Sequence, residues 1–259
     1  MDMVQMPRVG RKWHIAVSLL PVIALILVLK YVFHILDWEV IELNALFTSI
    51  IAASTFLLGF LIAGVIADYK ESERMPGDLA CSLEAIYDEA YLMDRHKSTP
   101  ATQAFLAFHV AFIRDFDGWF HRKVRTKDIL AKLTQMNDHL LQQEDLTKGD
   151  FITRIKHEQS NVRRMVTRIH TIRDTSFVQS GYTIVEILAV LLIFGLLLLN
   201  MEPVYESLFI VGVMSFIILY MLHLIKDLDN PFDFQDGVNG SEISLRPLKY
   251  LIERLDAKP

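Results

Sequence analysis

The run from Asn44 to Asp68, NALFTSIIAASTFLLGFLIAGVIAD, constrains this chain more than any other stretch, because no charged side chain falls between Glu42 and Asp68. At about 1.5 Å per helical residue, such a run is long enough to cross a bilayer core of about 30 Å. Placed on a helix, Asn44, Thr48, Ala52, Phe56, Phe60 and Ala63 fall close to one line, at i+4 or i+3 spacing. The line begins polar, narrows to two phenylalanines and ends in small residues. A helix face that only meets lipid has no need of such a stripe. A helix lining a water-filled pore does, because hydrophobic rings gate ion flow by dewetting. The competing reading is plain packing, with Ala52, Gly59, Ala63 and Gly64 permitting close helix approach and the phenylalanines filling gaps.

The rest of the composition agrees with a membrane environment. The 259 residues are 52% hydrophobic, and the mean hydropathy is positive, which is high for a soluble protein. A net charge of -5 suggests no nucleic-acid role. The single cysteine, Cys81, allows no internal disulfide and no cysteine-based metal cluster, and reads as a small packing residue in a reducing compartment. The first apolar run is too long, and too short of a cleavage pattern, for a removable signal peptide.

Taken in order, residues 1–12 form a tail whose Arg8, Arg11 and Lys12 anchor it in the cytoplasm under the positive-inside rule. Residues 13–68 form a first transmembrane hairpin. Its first helix, Trp13 to Leu36, carries interfacial aromatics at Trp13 and Tyr31, a kink at Pro21, and a Lys30 expected to snorkel outward. An acidic turn, Asp37 to Glu42, leads into the uncharged helix. Residues 69–178 are charged, poor in Gly and Pro, and free of β alternation, so they read as a helical cytosolic domain. One stripe there is Leu79, Leu83, Ile86, Tyr87, Ala90 and Tyr91, and another is Phe105, Phe108, Phe112 and Phe116. A third, Phe151, Ile155, Val162, Met165, Val166, Ile169 and Ile172, predicts a long helix that runs on into the next span. Residues 179–226 form a second transmembrane hairpin, Ser180 to Leu199 and Glu206 to Ile225. Residues 227–259 are a cytosolic tail, in which Pro247 starts a short helix with Leu248, Leu251, Ile252 and Leu255 on one face. The fold class is thus an all-α membrane protein of four transmembrane helices with a helical cytosolic domain. The outer turns hold only acidic charges, Asp37, Glu39, Glu42, Glu202 and Glu206, which places both termini in the cytoplasm and the chain in the inner (plasma) membrane.

No catalytic signature is present: there is no G-x-S-x-G, P-loop or Rossmann pattern, and the scattered histidines lack zinc-ligand spacing. The chain is therefore read as no enzyme, with no cofactor and no metal. The basic run His121 to Lys127 reads as a solvated helix end, with contact to anionic lipid heads as the alternative. Glu186 and His223 are ionisable groups within or at the edge of spans, where such groups turn toward protein or water. Both lie near the cytoplasmic end, and they are expected to pair.

The segment Ser54-Thr55-Phe56-Leu57-Leu58-Gly59-Phe60 resembles the neck helix of the bestrophin channels, where a Ser-Phe-x-x-Gly-Phe pattern supplies the constriction. A second segment, Asp229-Asn230-Pro231-Phe232-Asp233, resembles the Asn-Pro-Phe-Gly motif that follows their last membrane helix. Their order and placement make the chain similar to the bestrophin-like family of bacterial membrane proteins. The resemblance implies a homopentamer around one pore, in membrane lipid, that passes monovalent ions. The acidic run that binds calcium in animal bestrophins is interrupted here by Phe234-Gln235, with Asp227, Asp229, Asp233 and Asp236 around the motif, so a cap and turn is the reading of that segment. An Arg-Trp-Trp of the animal proteins is replaced by Asp68-Tyr69-Lys70.

Two functional readings follow. In the first, the chain is an oligomeric ion channel with a hydrophobic neck, where the resemblance implies a chloride channel and the acidic outer turns argue for cations. In the second, it is a non-conducting scaffold or signalling protein whose cytosolic helices bind a partner.

Overall fold

The computed structural model describes residues 13–144, 149–174, 179–229, 231–232 and 243–256. The basic tail before Trp13, the residues around Asn230, Asp233 and Asp236, and the junction at 175–178 lie outside them. In chain order the elements are α1 (His14–Ile35), β1 (Ile41–Glu42), α2 (Ala45–His96), α3 (Pro100–Phe120), α4 (Thr126–Gln143), α5 (Gly149–Asp174), α6 (Gln179–Leu197), β2 (Leu199–Asn200), α7 (Val204–Asp229) and α8 (Arg246–Asp256).

The helix opened by the uncharged run does not end where the charge begins. It continues past Asp68 and through Pro76 for 52 residues, to His96. A proline inside a helix removes one backbone bond and costs about 3 kcal/mol. Packing supplies more than that here, because Met75, Leu79, Leu83 and Ile86 hold one face of the helix buried on both sides of the proline. The longest helix is therefore α2. The long helix expected at residues 151–172 is α5, described up to Asp174.

The chain divides into two compact units, one of residues up to Tyr69 together with Ser176–Asn230, the other of Lys70–Thr175 together with Pro231–Pro259. In the first unit α1 packs mainly on α7, and α7 on α6. Its core holds Ile26, Leu58, Val65, Val185, Leu192, Val211, Ile218 and Ile225. Two glycines mark the close approaches. A Cβ on Gly195 would stand 3.1 Å from the Phe47 ring, and one on Gly212 would stand 3.4 Å from Leu27. A two-residue parallel pairing, Ile41 with Leu199 and Glu42 with Asn200, ties the two turns at one end of this unit together, where the sequence predicts only helix and turn. Helices α1, α2 and α7 are long and apolar enough to cross a membrane, while the apolar stretch described in α6, Thr183–Leu197, is shorter.

The second unit is built on aromatic and aliphatic stripes from the later part of α2 and from α3, α4, α5 and α8. Helix α3 starts cleanly because Thr99 caps it. The Thr99 hydroxyl accepts from the Thr102 amide while the Thr102 hydroxyl accepts from the Thr99 amide, and Pro100 takes the first helical position. Phe105, Phe112, Phe116, Trp119 and Phe120 of α3 are fully buried. Phe232 is fully buried as well and lies 6.2 Å from Phe120, centroid to centroid. Helix α8 closes this core with Leu248, Leu251 and Leu255.

Candidate functional site

All six stripe residues, Asn44, Thr48, Ala52, Phe56, Phe60 and Ala63, are exposed on the surface of the first unit. Phe56 is 76% exposed and Phe60 67%, whereas Leu58 and Val65 on the opposite side of α2 are buried. The division follows the 100° step of the helix, which turns Leu58 and Val65 away from the phenylalanine line. Among the described residues, none covers the phenylalanine face. A Cβ added at Gly59 or at Gly64 would meet no atom within 4 Å, so packing within the subunit does not account for these small residues.

The polar start of the stripe has a local duty of its own. The Asn44 side chain accepts a hydrogen bond from the Phe47 amide at 2.9 Å, which satisfies one of the free N–H groups at the start of α2. The Thr48 and Ser49 hydroxyls donate to the Asn44 and Ala45 carbonyls, which keeps them compatible with an apolar setting.

The acids of the two turns joined by β1 and β2 separate into two groups. Asp37, Glu42, Glu202 and Glu206 are exposed, and the pairing of β1 with β2 brings the two turns that carry them to the same end of the unit. Asp37 has a φ of 53°, the left-handed conformation that ends α1. Glu39, by contrast, is not part of a free acidic mouth. Its side chain is 7% exposed and forms an ion pair with Lys30 at 2.6 Å. The His34 ring lies 2.9 Å from its other carboxylate oxygen. Burial pushes the Glu39 pKa up, but hydrogen bonds and charge from His34 and Lys30 outweigh it and hold the carboxyl below the usual range.

Lys30 also departs from expectation. It does not snorkel outward: it is 1% exposed. Its ammonium donates to the Leu197 carbonyl at 3.3 Å and to the Leu199 carbonyl, where α6 ends and β2 begins. Those carbonyls are left without helical partners at a C-terminus, and a cation is favoured there. Near a helix end, Lys30 has the spacing of an outward-reaching lysine. Only the signed partner at Glu39, nine residues on, hinted otherwise.

The expected pair of Glu186 and His223 does not form. Glu186 pairs with Lys226 at 2.5 Å, and the His223 ring nitrogen lies 3.1 Å from the Leu219 carbonyl of its own helix. Residues 223 and 226 are three apart and share a face, so the longer lysine reaches the carboxylate.

Comparison with known families agrees with this architecture. A family model for the bestrophin-like domain matches residues 15–235, and the chain belongs to the bestrophin-like family. Among solved structures, a crystal structure of a bacterial bestrophin homologue from Klebsiella pneumoniae, carrying an isoleucine-to-alanine mutation, superposes with a TM-score of 0.70 at 16% identity, covering 91% of this chain and 96% of that one. Two crystal structures described as a membrane protein are equally similar. A serine-to-alanine variant gives a TM-score of 0.70 at 16% identity, covering 94% of this chain and 97% of that one. A glycine-to-alanine variant gives 0.71 at 16% identity, covering 91% and 96%. At this identity the likeness is one of fold. The curated proteins yield no significant match.

Proposed function

We propose that this chain is one subunit of a homo-oligomeric ion channel, most simply a pentamer, with Asn44, Thr48, Ala52, Phe56, Phe60 and Ala63 of α2 lining the pore. The observation that carries the reading is the exposure of Phe56 and Phe60 at 76% and 67%, beside glycines with open space around them. A single subunit leaves this face uncovered, and copies arranged about an axis turn it inward. Membership of the bestrophin-like family supports the same arrangement. Helix α6, Gln179–Leu197, is then the fourth span, since its 19 residues reach about 28 Å at the standard rise.

In this assembly the two phenylalanine rings form the dry constriction. Changing both to Ala widens it and raises basal ion flux in liposomes. Flux equal to the parent's removes the gate from these positions, and no flux from either protein favours the non-conducting scaffold. The permeant ion is set at the outer mouth, where Asp37, Glu42, Glu202 and Glu206 stand exposed and Glu39 is cancelled by Lys30. Four carboxylates per subunit attract cations within a Debye length of about 8 Å. The reversal potential in a salt gradient is expected near the cation equilibrium and to shift toward zero in Glu42→Gln. A reversal at the chloride equilibrium, unmoved by that change, overturns the cation assignment.

A further inference from the structure

On the second unit, the later part of α2 and helix α8 enclose a groove of about 750 Å³. Its small and apolar lining is Gly77, Ala80 and Cys81 of α2 with Pro247, Tyr250 and Leu251 of α8. Around these stand three carboxylates, Asp78, Glu84 and Glu253, and one cation, Arg254. Arg254 is spent on Glu84. Asp78 and Glu253 are exposed, and among the described residues neither meets a cation within ion-pair distance. The groove is also open. A Cβ on Gly77 would meet no atom within 4 Å, and Tyr250 is 67% exposed. A bare tyrosine beside a polar rim is the composition of a protein contact, because its ring covers a large area and its hydroxyl stays satisfied at the edge.

Helix α5 lies on another side of α2. Arg168 pairs with Glu71 and Arg154 with Glu89, and those two acids are about five turns apart, so they share one line of the helix. Gly77, Ala80 and Glu84 stand roughly 120° or more around α2 from that line. No residue exposed on α5 between positions 151 and 173 is acidic. Arg164 is exposed on that surface and has no partner among the described residues, and His157 and Ser160 share its face at helical spacing. On the side toward α4, Lys156 and Arg163 donate to the side-chain oxygens of Asn137 and Thr134, which are neutral. An acidic groove and a basic helix face thus occupy different sides of one unit.

We propose that the groove between α2 and α8 receives the exposed face of α5 from a second copy of this chain. The inference rests on the homo-oligomer proposed above and names one of its contacts. Charge decides which faces meet. Groove against groove sets carboxylates against carboxylates, and α5 against α5 sets cations against cations, whereas groove against α5 pairs opposite signs. A contact between two unlike faces repeats from copy to copy and closes into a ring, while a two-fold dimer needs like faces to meet.

Cys81, the single cysteine of the chain, is exposed within the groove and serves as the probe. Full-length protein in detergent carrying Ser160→Cys, and separately Thr167→Cys, is treated with a short bis-maleimide and run on denaturing gels, with Ala107→Cys on α3 as an exposed control. Either α5 variant is expected to give a ladder that stops at the size of the oligomer and is lost when Cys81→Ser is added, while the parent and the control give none. Arg164→Glu is expected to slow the cross-linking by about fivefold, and Glu253→Arg added to it to restore the rate. Cross-linking of the parent through Cys81 alone shows that like faces meet and overturns the docking, as does a ladder of equal yield from Ala107→Cys. The mass of the parent in detergent separates this contact from the assembly itself. An oligomer in which neither α5 variant cross-links strikes the docking and leaves the oligomer standing, and a monomer removes both. A ladder from a protein that passes no ions keeps the docking and drops conduction.

Discussion

The two units use the same kinds of side chain in opposite places. Among the described residues, large apolar side chains crowd the surface of the first unit, from Trp13 just before α1 and Leu20, Leu25 and Val28 along it to Phe56 and Phe60 on α2 and Phe209 on α7. Among the described residues of the second unit, the exposed large apolar side chains are only Tyr91, Leu92, Leu141 and Tyr250. There the apolar stripes turn inward around Phe105, Phe112, Phe116 and Trp119, and the charges turn out. The ion pairs are of two kinds, and the first unit holds both, since its Glu186–Lys226 pair is about half exposed. Lys30 and Glu39 of the first unit meet with both side chains buried, while Arg168 and Glu71 of the second meet at 3.0 Å with both side chains about half exposed. A pair formed in water is optional. A pair formed away from water is obligatory, because either partner left alone is an uncompensated charge.

The largest effect is therefore expected at Lys30. Lys30→Met leaves the buried Glu39 carboxylate with His34 as its one remaining described partner and frees two carbonyls, and should destabilise the first unit by about 3 kcal/mol. The double change Lys30→Met/Glu39→Gln should recover most of that loss, which thermal unfolding in detergent can read. Equal stability of the single and double variants would show that the pair is not coupled.

Acid should separate the units next. His109 is fully buried in the second unit, with its ring nitrogen donating to the Leu83 carbonyl at 2.8 Å, and burial lowers its pKa from 6.5 to about 4. The folded state keeps this ring neutral while the unfolded chain takes up a proton. Its stabilisation is complete above pH 6.5 and is lost as pH falls toward 4, by about 3 kcal/mol in all. Glu39 has its pKa lowered instead, so its contribution is present above the unfolded value of 4.5 and is lost only as pH falls below it. At pH 5 the second unit should weaken before the first. Single-tryptophan variants keeping Trp119 or Trp38 report the two separately, and His109→Gln should flatten the Trp119 profile between pH 6.5 and 4. A Trp38 transition that comes first would reverse the comparison.

The smallest effect belongs to the exposed pair. Arg168→Gln should cost less than about 1 kcal/mol, and added salt should erase the difference. A loss as large as that at Lys30 would mean that exposure does not set the value of these pairs.

Much of the helical plan was legible in the residues. The stripe from Asn44 to Ala63, the phenylalanine period in α3 and the leucines of α8 each repeat at helical spacing, and spacing is a property of the chain alone. The fate of Pro76 was not legible, because a proline ends a helix unless packing beyond it repays the lost bond. The inward turn of Lys30 is hidden from the sequence for a related reason. Near the end of an apolar helix, reaching outward and reaching inward look the same in sequence. The direction depends on whether carbonyls and a carboxylate wait inside, and here Leu197 and Leu199 supply them from positions more than 160 residues away. Glu186 likewise meets its partner on α7, but at Lys226, one turn beyond the His223 that the sequence points to.

By itself, then, the sequence determined which segments are helical, which stretches suit lipid and which carry charge, since each depends on neighbours within a turn or two. It also carried the family, through the short segment around Phe56 and Phe60. Only the tertiary structure decided which charges are spent. It buried Glu39 against Lys30 and left four other acids of the paired turns exposed, gave Glu186 to Lys226, and gathered Arg122, Arg125, Lys127 and Arg173 around one pocket. Electrostatic pairing acts over a few ångströms of space with no regard for sequence distance, so a local pattern cannot encode it.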